Sequence, residues 1–269
     1  MKKTIKKRKG AHLGQHLLTS TAIAKSVAEA GGAANNKNIL EIGPGKGMLT
    51  KQLLALGANV TAIEKDSGMV ALLKKTFEAE IKSGQLMLIE GDARNILQSS
   101  AFEIRAPYAV AANIPYYITG ELLKLFLSSN PKPEVIALLV QKEVAERIAR
   151  SKKESILSLS VKAYGDPKYI KTVKAGSFSP PPSVDSAILA ISNISSKNLK
   201  NAKEEAQFFK VIKAGFAQKR KTLIGNLSAF GTKDALKEIF AKLKLPEMVR
   251  AEDVPLDKWF RLVHELGKK

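Results

Sequence analysis

Asn113-Ile114-Pro115-Tyr116 is the stretch of this chain whose residue types combine into a chemistry. A side-chain amide offers one acceptor oxygen. The Ile114 carbonyl offers a second, in a direction that Pro115 restricts. Two such acceptors can hold an exocyclic aromatic amine, such as that of adenine, so that its delocalised lone pair points at an electrophile. Tyr116 follows as a ring on which the base can stack. No strongly basic group is required, because proximity and in-line geometry can supply on the order of 7–11 kcal/mol of the barrier. As plain structure, the same four residues are a strand-ending turn in which asparagine and proline are ordinary.

The chemistry needs an electrophile beside Asn113, and the chain offers a place for one. Asn38-Ile-Leu-Glu-Ile42 is a short apolar run interrupted by Glu41. It is followed by Gly43, Gly45 and Gly47, and then by Met48, Leu49, Leu53 and Leu54 at helical spacing. That is strand, glycine turn, helix. Glycine allows the turn its backbone angles and lets the main chain approach a ligand. A second strand, Asn59–Glu64, ends in an acid 21 residues after Gly43, where a nucleotide-binding fold places the carboxylate that accepts from ribose hydroxyls. The reading is an adenosine-containing cofactor lying over the ends of these two strands. An NAD-dependent dehydrogenase could use the same turn. It would also need a catalytic histidine or tyrosine–lysine pair and a substrate domain, which 3 histidines and the chain's helical end do not offer.

The elements that must position these residues alternate. Ser20 or its neighbours cap a helix carrying Ile23, Ala24, Val27 and Ala28, and Gly31-Gly32 ends it. Asp66 caps a helix through Leu72, Leu73 and Phe77. Strands are predicted at Gln85–Glu90, Tyr108–Ala112 and Val135–Val140, with helices about Ile96 and from Glu121 to Leu127 between them. Alternation of this kind calls for an α/β fold with a mainly parallel sheet covered on both faces. Ligands in such sheets sit at the strands' carboxyl ends, where Glu64, Asp92 and Asn113 all fall. A helix follows from Lys142, whose charges read as a solvated face although Arg147, Arg150, Lys152 and Lys153 could edge an RNA groove. Two closing strands, about Tyr169–Lys174 and Ser186–Ile191, flank Phe178-Ser-Pro-Pro-Pro-Ser-Val-Asp185, read as a stiff extended loop because consecutive prolines fit no helix or central strand. After a polar linker at 193–198 the pattern is helical only, broken by Gly215, Gly225, Gly231 and Pro246. The organisation expected is a basic tail at 1–10, a domain at 11–196 and a small all-α domain at 197–269.

Charge points to the partner. Over 269 residues, Lys+Arg 44 against Asp+Glu 25 leaves +19. The first ten residues hold six basic side chains and no acid, and residues 197–269 hold 17 basic and 9 acidic ones. A surplus at both ends fits a polyanion such as RNA or DNA, bound through phosphates in a salt-dependent way. No run approaches the roughly 18 apolar residues of a membrane span. With Cys 0 there is neither disulfide nor thiol catalysis, which is compatible with a reducing cytoplasm. His12 and His16 have i,i+4 spacing, but Gly14 lies between them and no third ligand is near, so they read as loop residues rather than a metal site.

In this order the motifs are specific. The chain resembles the bacterial small-subunit rRNA adenine N6-dimethyltransferases (the KsgA family) from about His12 to near its end. The resemblance is carried by Gly14-Gln-His-Leu-Leu18, Glu41-Ile-Gly-Pro-Gly45, Ile63-Glu-Lys-Asp66, Gly91-Asp92, Asn113-Ile-Pro-Tyr-Tyr117, Gln141-Lys-Glu-Val-Ala145, Phe178-Ser-Pro-Pro-Pro-Ser-Val-Asp-Ser186 and Gln218-Lys-Arg-Lys-Thr222. It implies a Rossmann-like class I methyltransferase sheet with a C-terminal helical RNA-binding domain, and S-adenosylmethionine as donor. His16 and Leu18 would touch the donor, the main chain at Gly43 and Gly45 would lie beside its amino-acid part, Glu64 would bind its ribose and Asp92 its adenine. Asn113, Ile114 and Pro115 would serve the target amine, and Tyr116 and Phe178 would sandwich the target base. The implied substrate is a pair of adjacent adenosines, each methylated twice, in the terminal hairpin loop of small-subunit rRNA. They would be met on an immature 30S ribosomal subunit by a cytoplasmic monomer without metal. The alternatives are an Erm-type large-subunit methyltransferase and a ribosome-assembly factor that only binds RNA.

Overall fold

The computed structural model describes residues 16–268. The tail at 1–10, His12 and Gly14 therefore lie outside the described residues. In chain order the strands are β1 (Leu17–Leu18), β2 (Asn38–Ile42), β3 (Asn59–Glu64), β4 (Leu86–Glu90), β5 (Tyr108–Asn113), β6 (Ile136–Gln141), β7 (Asp166–Val173), β8 (Phe178–Ser179) and β9 (Ser186–Ser192). The helices of the α/β part are α1 (Thr21–Ala30), α2 (Met48–Ala55), α3 (Ser67–Thr76), α4 (Glu78–Lys82), α5 (Ala93–Gln98), α6 (Thr119–Ser128), α7 (Lys142–Ala149) and α8 (Ile156–Tyr164). After them come only helices: α9 (Ala202–Gly215), α10 (Leu223–Asn226), α11 (Lys233–Lys242) and α12 (Leu256–Leu266).

Seven strands form one sheet in the order β4-β3-β2-β5-β6-β9-β7. The first five run parallel, and β9 enters antiparallel between β6 and β7. Strand order reverses at β2, whose neighbours are β3 and β5, and a doubly wound sheet opens a crevice at such a point. The register fixes what meets there. Ile42 is level with Ile63 and with Ala112, so Gly43, Glu64 and Asn113 are each one residue past the same row.

Strand alternation builds two cores. Ile39, Val60, Ala62, Ala109, Ala111 and Leu139 pack against α1, α2 and α3 through Val27, Leu53 and Leu73. Their intervening neighbours Leu40, Val110, Ala112 and Leu138 pack on the other face, against Leu122, Phe126 and Leu159 of α6 and α8. This second core continues into α9, α11 and α12 through Phe208, Phe240 and the fully buried Trp259. Gly215 lets α9 pass close to α12, because a Cβ there would stand 2.4 Å from Trp259 Cη2.

Two expectations are corrected. The proline-rich stretch is not wholly a loop: Phe178–Ser179 forms β8, antiparallel to β1, because the non-proline start of the segment still has main-chain groups free to pair. Gly225 does not interrupt a helix but lies inside α10, whose first turn Thr222 caps.

Candidate active site

The carboxyl ends of β2, β3 and β5 face a cleft of about 680 Å³, counted with its open mouth. Gly43, Gly45 and Gly47 carry β2 into α2 with φ of 67°, 56° and 81°. Main chain therefore forms the floor where side chains would otherwise stand. At Gly45 a Cβ would also meet Leu17 Cδ2 at 2.8 Å, a flexible side chain that could shift, so it is the backbone angle that calls for glycine there.

Two carboxylates face this floor. Glu64, at the end of β3, is only 4% exposed. Its Oε2 accepts from Gly45 N–H at 3.0 Å, and its Oε1 accepts from the N–H groups of Lys65 and Asp66 at 2.8 and 2.9 Å. One side chain thus ties the glycine turn to the next strand and still borders the cleft. Glu41 was legible only as a polar break in an apolar strand, and it proves to be the second acid of the site. It alternates to the α2 side of the sheet, where Thr50 Oγ1 donates to its Oε2 at 2.7 Å. Burial, opposed by that hydrogen bond and reinforced by the negative charge of Glu64, pushes its carboxyl up to about 8. Below about pH 8 Glu41 is a neutral acid, so Glu64 supplies the negative charge of this wall, and Lys46 and His16 are its basic side chains among the described residues.

The opposite wall is Asn113-Ile114-Pro115-Tyr116. Ile114 is buried at 2% exposure and anchors the turn below. Pro115 holds φ −56° and ψ 135°, and its carbonyl accepts from Ile118 N–H at 3.2 Å, which starts the helical turn leading into α6. Asn113 Nδ2 donates to the His16 carbonyl at 3.0 Å. The amide nitrogen is thereby committed, and the amide oxygen is left as the acceptor. Tyr116 is held by a 2.6 Å hydrogen bond between its hydroxyl and Ser186 Oγ. Its ring stacks with His16 at 6.0 Å between centroids and 29° between planes.

The N-terminal segment closes the cleft from above. β1 pairs with β8, His16 Nδ1 donates to the Pro180 carbonyl at 2.8 Å, and Thr19 donates through both N–H and Oγ1 to the Ser177 carbonyl. Leu18 borders the cleft from this side.

Two residues singled out from sequence are placed near the cleft but not on its wall. Phe178, 4% exposed, packs beside Leu18 in the first core. Asp92 lies two residues past Glu90, the ladder partner of Glu64. It caps α5 by accepting from Arg94 N–H at 3.0 Å, and it pairs with Arg94 Nη2 at 2.7 Å and with Lys65 Nζ at 3.0 Å. The Arg94 guanidinium above all, helped by Lys65 and opposed by partial burial, holds the Asp92 carboxyl well below the usual range. Lys65, Arg94, Thr50 and Ser186 bear on the site and carry no role in the sequence reading, although Lys65 and Ser186 fall inside the motif stretches. Ser186 and Lys65 act through partners 70 and 27 positions away, which local pattern does not reveal, whereas Thr50 and Arg94 lie only 9 and 2 positions from theirs and needed the strand register and the cap geometry to be seen.

A doubly wound sheet, a glycine turn between two acids, and an amide–proline–tyrosine wall define a class I methyltransferase, whose methyl donor is S-adenosylmethionine. The family model for ribosomal RNA adenine dimethylase matches residues 6–268. A protein of Dehalococcoides mccartyi named ribosomal RNA small subunit methyltransferase A is 36% identical over 262 residues, covering 95% of this chain and 87% of its own. A protein of the same name from Fusobacterium nucleatum is 36% identical, with coverage of 93% and 94%. Among solved structures, a dimethyladenosine transferase from Plasmodium falciparum superposes with a TM-score of 0.78 at 26% identity, covering 94% of this chain and 98% of its own. The large-subunit enzyme ErmE superposes at 0.75 with 21% identity, covering 93% and 99%, a likeness of fold alone. The chain belongs to the ribosomal RNA adenine dimethylase family, and the large-subunit alternative is not favoured.

Proposed function

We propose that this protein dimethylates the N6 amines of two adjacent adenosines in the terminal hairpin loop of small-subunit rRNA, acting as a monomer on an immature subunit in the cytoplasm. The observation that carries the reading is the common level of Gly43, Glu64 and Asn113 around one cleft, with the Asn113 amide turned so that its oxygen is the free acceptor.

The residues present suit S-adenosylmethionine, because the buried carboxylate of Glu64 can accept from ribose hydroxyls and the glycine turn brings bare main chain to the cleft where a polar amino-acid part can lie. When bound, the cofactor supplies a methyl group on a sulfonium, an electrophile that needs no further activation. Glu64 takes the ribose hydroxyls, the main chain at Gly43 and Gly45 lies along the amino-acid part, and His16 and Leu18 cover it. Asp92 marks the adenine end. Asn113 Oδ1 and the Ile114 carbonyl each accept one N–H of the target amine, which draws its lone pair out of conjugation with the ring. Pro115 fixes the direction of the second acceptor. The purine stacks on Tyr116, where the His16 ring now lies, and Phe178, buried beside Leu18, would have to turn out of the core to cover the other face. A monomethylated amine still has one N–H, which one of the two acceptors can take, so the amine is still oriented for the second transfer while its methyl group occupies the place of the other N–H. The helices of residues 197–269 are the RNA-binding part, with 17 basic side chains against 9 acidic.

The deciding experiment offers labelled S-adenosylmethionine with under-methylated small and large ribosomal subunits and maps the modified nucleotides. Label on two adjacent adenosines of the small-subunit RNA is the expected result. Label confined to large-subunit RNA, or none at all, overturns the proposal.

A further inference from the structure

Tyr117 stands beside the cleft wall and takes no part in it. Its ring is 68% exposed, whereas Ile114 and Thr119 on either side of the turn are buried and Tyr116 is tied to Ser186. The helical turn Tyr116–Ile118 is closed from Pro115 and continues directly into α6. The backbone carrying the exposed ring is thus fixed by the same elements that fix the amine-holding pair. Val184, itself 45% exposed, lies two residues before Ser186, the partner of Tyr116. Exposed apolar surface is therefore present on both segments that meet at the Tyr116 hydroxyl.

A base drawn out of a stack into a cleft loses its neighbours, and the neighbours lose it. An aromatic face fixed next to the slot restores one of those contacts, and single-stranded RNA is commonly held in this way. We infer that Tyr117 is a stacking platform for the unpaired nucleobase next to the adenosine held on Tyr116. The inference rests on the proposed function, and if the target adenosines are adjacent the base on Tyr117 is itself an adenine. The backbone under the ring is fixed by the turn, so the ordering needed when the base arrives is confined to the side chain.

The test uses immature small subunits whose rRNA carries the fluorescent analogue 2-aminopurine next to the target adenosine, with S-adenosylhomocysteine in the cleft. Wild-type protein should quench the fluorescence by stacking. Tyr117→Ala should abolish the quench and weaken subunit binding about tenfold to a hundredfold, while Tyr117→Phe keeps both. Calorimetric affinity of Tyr117→Ala for S-adenosylmethionine should equal that of wild type, which shows that the fold is intact. A Tyr117→Ala protein that quenches and binds like wild type overturns the platform. If wild-type protein methylates unlabelled subunits, only the platform falls. If it methylates none, the reading beneath it falls as well.

Discussion

Asn113 Nδ2 and the main-chain oxygen of His16, residues 97 apart in the chain, meet at 3.0 Å. The contact does two things at once. It pins the segment before β1 to the end of β5, and it decides which end of the amide faces the cleft. An asparagine free to turn over would present its NH2 to the target amine half of the time, donor against donor.

Asn113→Ala removes both the acceptor and the tie to His16. Methyl transfer should fall by a hundredfold or more, on the order of what one well-placed polar group contributes in a preorganised site. Cofactor affinity should change much less. Single-turnover methylation alongside calorimetry separates the two, and near-normal turnover would refute the role.

Glu64 holds three N–H groups and borders the cleft. Glu64→Gln preserves its size but loses the charged acceptor, so affinity for S-adenosylmethionine should drop about tenfold to a hundredfold, as for other hydrogen bonds to charged groups. Equal calorimetric affinity in the two proteins would remove Glu64 from the ribose site.

Glu41 makes stability depend on pH. Burial pushes its carboxyl up to about 8 in the folded chain from the ordinary 4.5, so over that interval the folded state binds the extra proton. Stability should therefore be greatest at the acidic end and decline as pH rises from about 4.5 to 8, by on the order of a few kcal/mol in all. Glu41→Gln stays neutral at every pH and should flatten this slope. Urea unfolding at a series of pH values checks it, and parallel slopes for the two proteins would contradict the assignment.

Gly215→Ala tests the packing of the C-terminal helices. The new methyl would lie 2.4 Å from the Trp259 ring, and overpacking of this kind costs about 1–3 kcal/mol. The melting temperature should fall while affinity for S-adenosylmethionine is kept. An unchanged melting temperature would mean that α9 and α12 separate more easily than their buried aromatic contact suggests.

Much of the sheet was legible because its signals are local. Ile39, Leu40 and Ile42 before three glycines, and Val60 to Ile63 before Glu64, announce strand, turn and acid within a few residues. Shared level at the strand ends then brings Gly43, Glu64 and Asn113 together without further information. Other features were hidden for an equally physical reason. β1 and β8 have two residues each, too few for any period to show. Glu41 looks like an interruption until the register turns it toward Thr50, and the hold of Ser186 on Tyr116 spans 70 positions.

The pairing of β1 with β8 also sets a timetable. Leu17 and Leu18 leave a ribosome about 160 positions before their partners Phe178 and Ser179. Until that later segment emerges, the earlier one lacks its strand partner, and this side of the cleft stays open. A growing chain would therefore carry the strand and glycine turn of residues 38–48 well before the pairing that holds Leu17 and Leu18 in place can form.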